Sequence, residues 1–512
     1  MKRAFMQTGI TGLDAILGGG IPRGNVVLIT GGPGSGKTSL GVEFVYRGAR
    51  EFNEPGMIVT FEVSTDRLIE DASSLGWDLQ DLQNRGRVKI LSTSPSVFRQ
   101  EVQHEDSLLL SEARAIGARR IFIDGLAGMA TNGESLPGHM GAGQIFRMLI
   151  EGLYHDGTTA MFTLDAPAET AARGHLSEEF IADTIVRLGL DLVNRHAHRS
   201  LEIVKSRGHN YLMGSHSFKI VDQQGLVVYP RVQMPRVRRV DSTALGDLTA
   251  RITTGVEGLD GLLNGGYYVG STTLVVGISG TGKSVMGLQF IAEGARRGER
   301  SLMVTLDEPM AHVIRNAATI GIDLPAEIER GMLRLWSESP QEMEIDEHFA
   351  QLEGIVDAFQ PQRVLIDSMS SYTGTVTSKE EFRDFFLAIT RLMRSRGITS
   401  VYNYENPEML GMSSMGGEFR VSSLVDNILL LNWVELGDTF RKSLTVAKAR
   451  AMPTSRVTHE CEIRPGSGFV VLPRQIHMAV PALPFASYFG LLSRSPERRA
   501  TASPDPNSGG QS

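Results

Sequence analysis

The chain has 512 residues, of which 41% are hydrophobic and 21% charged, a composition typical of globular proteins. Its 51 basic and 58 acidic residues give a formal net charge of −7, so composition provides no basic footprint for nucleic acid. A chain of this length is too long to fold around a single hydrophobic core. It therefore predicts two domains of roughly 200 to 250 residues each.

The cysteine count and the hydropathy of the chain exclude further classes of protein and of metal site. Cys461 is the only cysteine, which excludes an intrachain disulfide and a thiolate-rich metal site. Residues 1–10 lack the apolar core of a signal peptide, and no uninterrupted apolar run is long enough to cross a bilayer. We therefore expect a soluble, cytoplasmic protein that does not enter a membrane.

The first distinctive segment is T-G-I-T-G-L-D at residues 8–14, followed by a short apolar run at 26–30 and a glycine-rich loop at 31–38. The loop fits G-x-x-x-x-G-K-[ST], in which backbone N–H groups surround phosphates, the lysine reaches the outer phosphates and the hydroxyl ligates Mg²⁺. A helical pattern follows, so the motif has its required strand, loop and helix context. The predicted nucleotide-binding residues are Gly32, Pro33, Gly34, Ser35, Gly36, Lys37, Thr38 and Ser39.

Short apolar runs then alternate with longer amphipathic segments through the first half of the chain. The predicted strands are residues 57–61, 88–91, 120–123 and 159–164, and the predicted helices include 108–116 and 144–154. This alternation predicts an α/β fold with a mostly parallel central sheet and the nucleotide at the carboxyl ends of its strands.

Two carboxylates follow strands of this predicted sheet. Asp124 ends the run at 120–123, from where it could hold Mg²⁺ opposite the hydroxyl of Thr38. Glu62 follows the run at 57–61 and could orient or deprotonate a water that attacks the γ-phosphate. The alternatives are that Asp124 caps the next helix and that Glu62 is a solvated strand-end acid.

Residues 232–251 read as a linker between a first domain at 1–231 and a second at 252–472. The linker contains Pro235 and the basic cluster Arg236, Arg238 and Arg239, and then becomes polar. We expect its charges to be solvated or to contact a neighbouring acidic surface.

The second half repeats the first. T-G-V-E-G-L-D at 254–260 precedes an apolar run at 273–276 and a second loop, 246 residues after the first, with predicted nucleotide-binding residues Ser279, Gly280, Thr281, Gly282, Lys283 and Ser284. Asp307 and Glu308 follow the next strand, in the place of Glu62. Asp367 ends the run at 364–366 and pairs with Ser284 as the predicted metal site.

A Lys-x-Arg pair recurs near the end of each copy, Lys205 with Arg207 and Lys448 with Arg450, 243 positions apart. Residues two apart on a strand point to one face, from where these cations could reach phosphates across a subunit interface as an arginine finger does. The alternative is a pair of solvated strand charges.

Residues 473–512 are predicted to be a largely disordered tail. Residues 493–512 are rich in Ser, Pro, Gly, Asn and Arg and cannot bury enough apolar surface to order themselves. The apolar residues within 479–492 predict either a short docking segment or a frayed terminus.

Taken together, the tandem motifs resemble the KaiC family of circadian-clock ATPases and autokinases, over roughly residues 5 to 472. The resemblance implies two RecA-like P-loop domains that bind ATP and Mg²⁺. It also implies a slow ATPase in the first domain, serine/threonine autophosphorylation and its reversal in the second, and a homohexamer with ATP between subunits.

Carried over residue by residue, the resemblance gives Glu62 the place of the first glutamate of a pair, with Val63 replacing the second. The corresponding pair of the second domain reads Asp307-Glu308, whose shorter first side chain predicts slower or altered phosphotransfer. Gly208-His209 after the first Lys-x-Arg pair is close to the family pattern, whereas 451–453 after the second departs from it.

The predicted phosphoacceptors are Ser422 and Ser423, which the resemblance places at the family's Ser-Thr phosphosites. Gly417 stands where the family has a threonine that takes phosphate transiently. Two other functions remain open, a RecA-like DNA recombinase or helicase motor and an ATP-switched scaffold without phosphotransfer. The net charge and the serine pair favour the autokinase, with clock or signalling proteins as possible partners and nucleic acid disfavoured.

Overall fold

The computed structural model describes residues 4–102, 108–125, 142–155, 157–165, 180–193, 196–232, 249–340, 343–376, 378–405, 421–436, 438–452 and 457–476. The predicted linker at 232–251 and tail at 473–512 therefore lie mostly outside the described residues. In the described part of the chain no helix is long and apolar enough to span a membrane.

The first half folds into eleven described strands and seven described helices. The strands are β1 Phe5–Met6, β2 Ile21–Pro22, β3 Val26–Gly31, β4 Gly56–Thr60, β5 Val88–Ser92, β6 Arg120–Asp124, β7 Thr159–Asp165, β8 Thr184–Val193, β9 His196–Ser206, β10 Ser215–Val221 and β11 Gly225–Tyr229. The helices are α1 Leu13–Ile16, α2 Lys37–Glu51, α3 Thr65–Ser74, α4 Leu79–Asn84, α5 Pro95–Val102, α6 Leu108–Ala115 and α7 Ala142–His155.

The second half repeats this order. Its strands are β12 Arg251–Ile252, β13 Tyr267–Tyr268, β14 Thr272–Gly277, β15 Ser301–Thr305, β16 Leu333–Ser337, β17 Arg363–Asp367, β18 Thr399–Glu405, β19 Asn427–Leu436, β20 Thr439–Ala449, β21 Thr458–Arg464 and β22 Gly468–Ile476. Its α-helices are α8 Leu259–Leu262, α9 Lys283–Arg296, α10 Met310–Thr319, α11 Leu324–Glu329, α12 Ile345–Phe359 and α13 Lys379–Ser395, and two 3-10 helices span Met369–Gly374 and Val421–Ser423.

Each half builds one nine-stranded sheet. The strand orders are β11-β10-β9-β8-β3-β7-β6-β4-β5 in the first half and β16-β15-β17-β18-β14-β19-β20-β21-β22 in the second. The pairs from β5 to β8 and from β16 to β19 are parallel, and antiparallel hairpins extend each sheet on one side. The predicted α/β class with two tandem, mostly parallel sheets is confirmed.

The strand that leads into each glycine-rich loop lies in the middle of its sheet. Every residue of β3 and of β14 is buried, because helices cover both sheet faces and parallel neighbours flank both edges. Continuous apolar runs are typical of such strands, which is why the run at 26–30 predicted β3 within one residue of its end. The same reasoning placed the runs at 57–61, 88–91, 120–123 and 159–164 on β4, β5, β6 and β7.

The T-G-x-x-G-L-D segments have a structural role. Asp14 accepts hydrogen bonds from the backbone N and the hydroxyl of Thr8, at 2.8 and 2.9 Å, and Asp260 does the same for Thr254 at 2.7 Å each. Gly12 adopts a φ of 80°, and a Cβ there would lie 1.8 Å from the carbonyl oxygen of Val228. The motif therefore closes a tight turn against the last strand of each sheet.

A fully buried arginine joins that opening segment to the sheet. Arg120 at the start of β6 is 0% exposed and forms an ion pair with Glu54 at 2.6 Å. It also donates to the carbonyls of Gln7, Thr8 and Phe44. These contacts connect three separate stretches of the chain at the amino ends of the strands.

The second half has the equivalent arginine, which no sequence motif identified. Arg363 at the start of β17 is 0% exposed, pairs with Glu299 at 2.5 Å and donates to the carbonyls of Thr253 and Phe290. The repeat therefore includes a buried ion pair besides the glycine-rich loop.

The two halves contact each other where the hairpin side of the first sheet meets the start of α12. Asp346 accepts hydrogen bonds from the hydroxyl of Ser217 and the backbone N of Val232, both at 2.9 Å. Glu347 accepts from the hydroxyl of Tyr229 at 3.0 Å and pairs with Lys219 at 2.5 Å. An acidic helix start thus binds polar groups of the other domain.

His198 of β9 adds a titratable contact to this interface, because its Nδ1 lies 2.8 Å from a carboxylate oxygen of Glu344. The hydrogen bond to Glu344 raises the pKa of His198 above its ordinary 6.5, against an opposing effect of burial. Because the pKa is raised in the folded state, the contribution of the His198–Glu344 contact to stability is complete below pH 6.5. This contribution is lost as the pH rises through the pKa of His198 in the folded state.

We expect the wild type to lose about 0.2–1 kcal/mol of interface stability between pH 6 and pH 9 through this contact. Thermal unfolding at the two pH values, compared between the wild type and His198→Gln, measures it. Glu344→Gln should remove the same pH dependence. An unchanged difference in both variants would show that other groups cause it.

Candidate active sites at the two glycine-rich loops

Each glycine-rich loop runs from the end of a central strand to the start of a long helix. The glycines before and within the turn, Gly34, Gly36, Gly280 and Gly282, have φ values of 73°, 98°, 78° and 109°. Only glycine adopts this region at low cost, so the backbone N–H groups can turn inward. Helices α2 and α9 begin at Lys37 and Lys283, and a helix start of this kind binds anions.

The two loop lysines lie over their own loops. Lys37 Nζ is 2.9 Å from the carbonyl oxygens of Gly31 and Gly32, and Lys283 Nζ is 2.8 and 2.9 Å from those of Gly277 and Ile278. Burial lowers the pKa of Lys283, whereas nearby Glu405 and Asp367 raise it. An anionic ligand in the loop would oppose the effect of burial and favour the charged ammonium.

The structure brings each loop hydroxyl to the carboxylate predicted to share a metal with it. Thr38 Oγ1 donates to Asp124 at 2.8 Å, and Thr163 donates to the other carboxylate oxygen at 2.7 Å. In the second half, burial raises the pKa of Asp367, and a hydrogen bond from Ser284 lowers it.

This donor set fits Mg²⁺. One hydroxyl and one carboxylate at the mouth of a phosphate loop suit an ion that keeps several waters and also binds phosphate oxygens. Within the described residues no group of three His, Cys, Asp or Glu side chains could hold a metal by itself. The residues that would hold Mg²⁺ are Thr38 and Asp124 in the first half and Ser284 and Asp367 in the second.

The strand-end acids differ in their surroundings. Glu62 follows β4 and is exposed. Asp307 follows β15 and accepts hydrogen bonds from Ser368 at 2.9 Å and from Ser371 at 2.5 and 2.6 Å. Glu308 accepts from Asn316 at 3.2 Å. After burial, the negative charges of Asp307 and Glu308 also raise the pKa of the Asp367 carboxyl. Because Thr305 of β15 pairs with Asp367, these two acids lie beside the predicted metal site.

The Lys-x-Arg pairs contact backbone carbonyls of their own chain. Lys205 Nζ donates to Ala182 O at 2.7 Å, and Arg207 donates to Phe180 O at 3.0 Å. Lys448 Nζ donates to the carbonyls of Ser422 and Val425 at 2.8 and 2.7 Å. The arrangement is the same in both halves.

In the second half, these cations hold the predicted phosphoacceptors. Ser422 and Ser423 lie in the 3-10 helix Val421–Ser423, with Ser422 half-buried and Ser423 exposed. Arg450 donates to the carbonyl of Ser423 at 2.8 Å. The neighbouring Gly417 lies outside the described residues.

The sheet register separates the serines from the glycine-rich loop of the same chain. Asn427, just after the serines, pairs with Thr273 at the start of β14, whereas the loop begins at the far end of that strand with Gly277. At about 3.3 Å per residue, these two levels of the sheet are about 13 Å apart. Ser422 and Ser423 therefore lie near the amino edge of the sheet, and Lys283 and Asp307 lie at its carboxyl edge.

Several site residues were missed by sequence reasoning. Thr163, Ser368 and Ser371 orient the predicted carboxylates and belong to no motif. Asp183 and Asp426 each accept a hydrogen bond from the backbone N of a central strand, at Val26 and Thr272. Their separation equals the 243 positions between the two Lys-x-Arg pairs, so alignment of the two halves could have found this aspartate pair.

Comparisons with known proteins find relatives of both halves of the chain. The family described as "ATPase: KaiC" matches residues 6–233 and 252–476. Circadian clock oscillator protein KaiC of Picosynechococcus sp. is 32% identical over 472 residues, which cover 91% of this chain and 89% of that protein. KaiC 1 of Synechocystis sp. and KaiC of Thermostichus vulcanus are each 32% identical over 452 residues, covering 87% of this chain and 85% of each relative.

Proposed function

The chain belongs to the KaiC family of ATPases, and from that membership we propose that it is a ring-forming ATPase and serine autokinase. Both glycine-rich loops bind MgATP. The first domain, residues 1–231, hydrolyses ATP slowly, and the second, residues 252–472, transfers the γ-phosphate to Ser422 and Ser423 and reverses that transfer.

The main support for this proposal is the distance between Ser422 and Ser423 and the glycine-rich loop of the same chain. Because Ser422 and Ser423 lie at the edge of the sheet opposite Lys283, their own ATP is out of reach, and the phosphate must come from a neighbouring chain. A closed ring places the amino edge of one subunit against the carboxyl edge of the next, which is a heterologous interface. The homohexamer implied by the family meets this requirement.

The loop residues have separate tasks. Lys37 and Lys283 bind the β- and γ-phosphates, and the inward N–H groups of the glycine turns bind the remaining phosphate oxygens. The hydroxyls of Thr38 and Ser284 hold Mg²⁺ with Asp124 and Asp367. When held by these residues, Mg²⁺ would supply positive charge that offsets the phosphate charge, and the protein side chains would fix the position of the phosphates.

The strand-end acids act on the attacking oxygen. Glu62 orients a water molecule and accepts its proton, which gives hydrolysis in the first domain. Asp307 accepts the proton of a serine hydroxyl that the neighbouring subunit presents, with Glu308 beside it. The short arm of Asp307 demands a closer approach of the acceptor than a glutamate would, which predicts slow transfer.

The cations of the second Lys-x-Arg pair lie close to the predicted acceptor serines and can bind phosphate. Lys448 and Arg450 donate hydrogen bonds to the carbonyls of Ser422 and Ser423. When these cations bind a phosphate of the neighbouring subunit, they therefore bring the two serines close to it. Lys205 and Arg207 reach phosphates of the neighbouring subunit at the interface of the first domain, where no acceptor serine is involved. The relatives' names include the circadian clock, and we propose a timing or signalling role with protein partners that recognise the phosphorylated ring.

Lys37→Ala and Lys283→Ala test the two nucleotide sites separately. Each change removes a charged contact worth about 1.5–3 kcal/mol and should weaken ATP binding at one site about 10- to 100-fold. Titration calorimetry should find two sites in the wild type and one tight site in each variant. Lys89→Ala, a surface change at a lysine paired with Glu112, is the control.

Sedimentation with and without ATP tests the interfacial location of the nucleotide. ATP should convert the wild type into hexamers, and Lys283→Ala should shift the distribution toward smaller species. Sedimentation that is independent of ATP in the wild type would contradict nucleotide sites between subunits.

A further inference from the structure

Three serines follow the metal-site strand of the second half, and two of them contact Asp307. Ser371 Oγ lies 2.6 and 2.5 Å from the two carboxylate oxygens of Asp307, and Ser368 Oγ lies 2.9 Å from one of them. Ser370 contacts Ser368 at 2.8 Å and not the carboxylate. A hydroxyl this close to a carboxylate base has the geometry of an activated nucleophile.

These serines lie at the same sheet edge as the glycine-rich loop of their own chain. Ser370 Oγ accepts a hydrogen bond from the backbone N of Glu405 at 3.1 Å. Glu405 ends β18 and pairs with Gly277, the first residue of the loop. The serine turn is therefore within the second-domain site, unlike Ser422 and Ser423.

The first domain has no hydroxyl at the corresponding positions. Counted from Asp124, the residues that match Ser368, Ser370 and Ser371 are Gly125, Ala127 and Gly128. Glu62, the strand-end acid of the first domain, therefore has no corresponding serine to bind, and we expect water to be the nucleophile in that domain. The hydroxyl cluster thus distinguishes the proposed kinase domain from the proposed hydrolase domain.

We propose that Ser371 is a phosphoacceptor of the second domain, served by the ATP of its own chain. Ser371 Oγ attacks the γ-phosphorus, and its proton passes to the Asp307 carboxylate. The bond between the γ-phosphorus and the oxygen bridging to the β-phosphate breaks, and ADP leaves. The inference rests on the proposed function, since it assigns a second acceptor to the same phosphotransfer site.

A catalytic base holds the oxygen that attacks the γ-phosphate and accepts its proton. Asp307 is placed to hold that oxygen, and in this structure it accepts hydrogen bonds from Ser371 through both carboxylate oxygens and from the buried Ser368 through one. Ser371 is half-buried, so a phosphate has access to it. One ATP therefore has two competing acceptors, Ser371 in the same chain and the serine pair of the neighbouring chain.

Site-resolved mass spectrometry of the full chain after incubation with MgATP tests this inference. Phosphate should appear on Ser371 in the wild type and in the Ser422→Ala/Ser423→Ala double variant. It should be absent in Ser371→Ala, and Asp307→Asn should lower it about 100-fold. Ser395→Ala, at an exposed serine that ends α13, is the control and should leave Ser371 phosphorylation within about twofold of the wild type.

Mixed rings separate transfer within a chain from transfer between chains. Isotopically heavy Lys283→Ala chains, mixed with light wild-type chains, should acquire phosphate on Ser422 and Ser423 but not on Ser371. Phosphate on the serine pair with none on Ser371 in any sample would overturn this inference and leave the proposed function standing. Phosphate on Ser371 alone would support the inference and remove the serine pair from the proposed function, and no phosphate on any serine would overturn both.

Discussion

Glu62→Gln should lower steady ATP hydrolysis by at least about 100-fold and leave ATP affinity nearly unchanged. A positioned general base contributes about 10²- to 10⁴-fold to a rate, and glutamine keeps the shape of the side chain without its basicity. Phosphate release by the full-length ring, measured together with nucleotide affinity, gives both quantities. The effect is this large because the proposed function assigns nearly all steady phosphate release to the first domain.

Glu70→Gln provides the matched control, since Glu70 is an exposed glutamate of α3 in the same domain. Its turnover should equal that of the wild type. Equal turnover in Glu62→Gln would show that Glu62 does not act on the attacking water.

Arg120→Met should destabilise the first domain by about 3–5 kcal/mol. Removing one partner of a buried ion pair leaves the other charge uncompensated, here Glu54, and also leaves backbone carbonyls of the opening segment without donors. Methionine keeps most of the volume, so the loss reflects the polar contacts. Native-state hydrogen exchange of the β4 and β6 amides reports the free energy of unfolding of this domain.

The control is Arg67→Met, which removes an exposed arginine of α3 and should change stability by less than about 0.5 kcal/mol. Arg363→Met offers a second test, and its loss should appear in the β15 and β17 amides. A small effect of Arg120→Met would mean that the ion pair and its carbonyl contacts add little net stability.

Much of the fold could be predicted because its central strands are short apolar runs between turn residues. The loop at 31–38, the strand that ends at Asp124 and their second copies follow from local pattern plus the internal repeat. The pairing of Thr38 with Asp124 also follows, since carboxyl ends of parallel strands meet at one edge of a sheet.

The remaining features depend on contacts between residues that are distant in sequence and have no motif. Arg120 meets Glu54 and Gln7 only after the sheet forms, and a strand that begins with arginine does not predict a buried charge. The contact of Ser371 with Asp307 likewise depends on the turn after β17. A Ser-x-Ser-Ser segment in isolation indicates a solvated turn.

The position of the serine pair depends on register rather than composition. The resemblance to KaiC identified Ser422 and Ser423, but the pairing of Asn427 with Thr273 places them at the edge opposite Lys283. Strand order and register are properties of the whole sheet, and no local pattern at 416–428 contains them. The interdomain contacts of Asp346 have the same origin.

Serine autophosphorylation can be measured by incubating the purified chain with γ-labelled ATP and Mg²⁺ and counting the label on each serine and in free phosphate. We expect label on Ser422 and Ser423 in the wild type, loss of that label in the Ser422→Ala/Ser423→Ala variant, and free phosphate from both proteins. Free phosphate without label on any serine would leave a ring ATPase and contradict the autokinase.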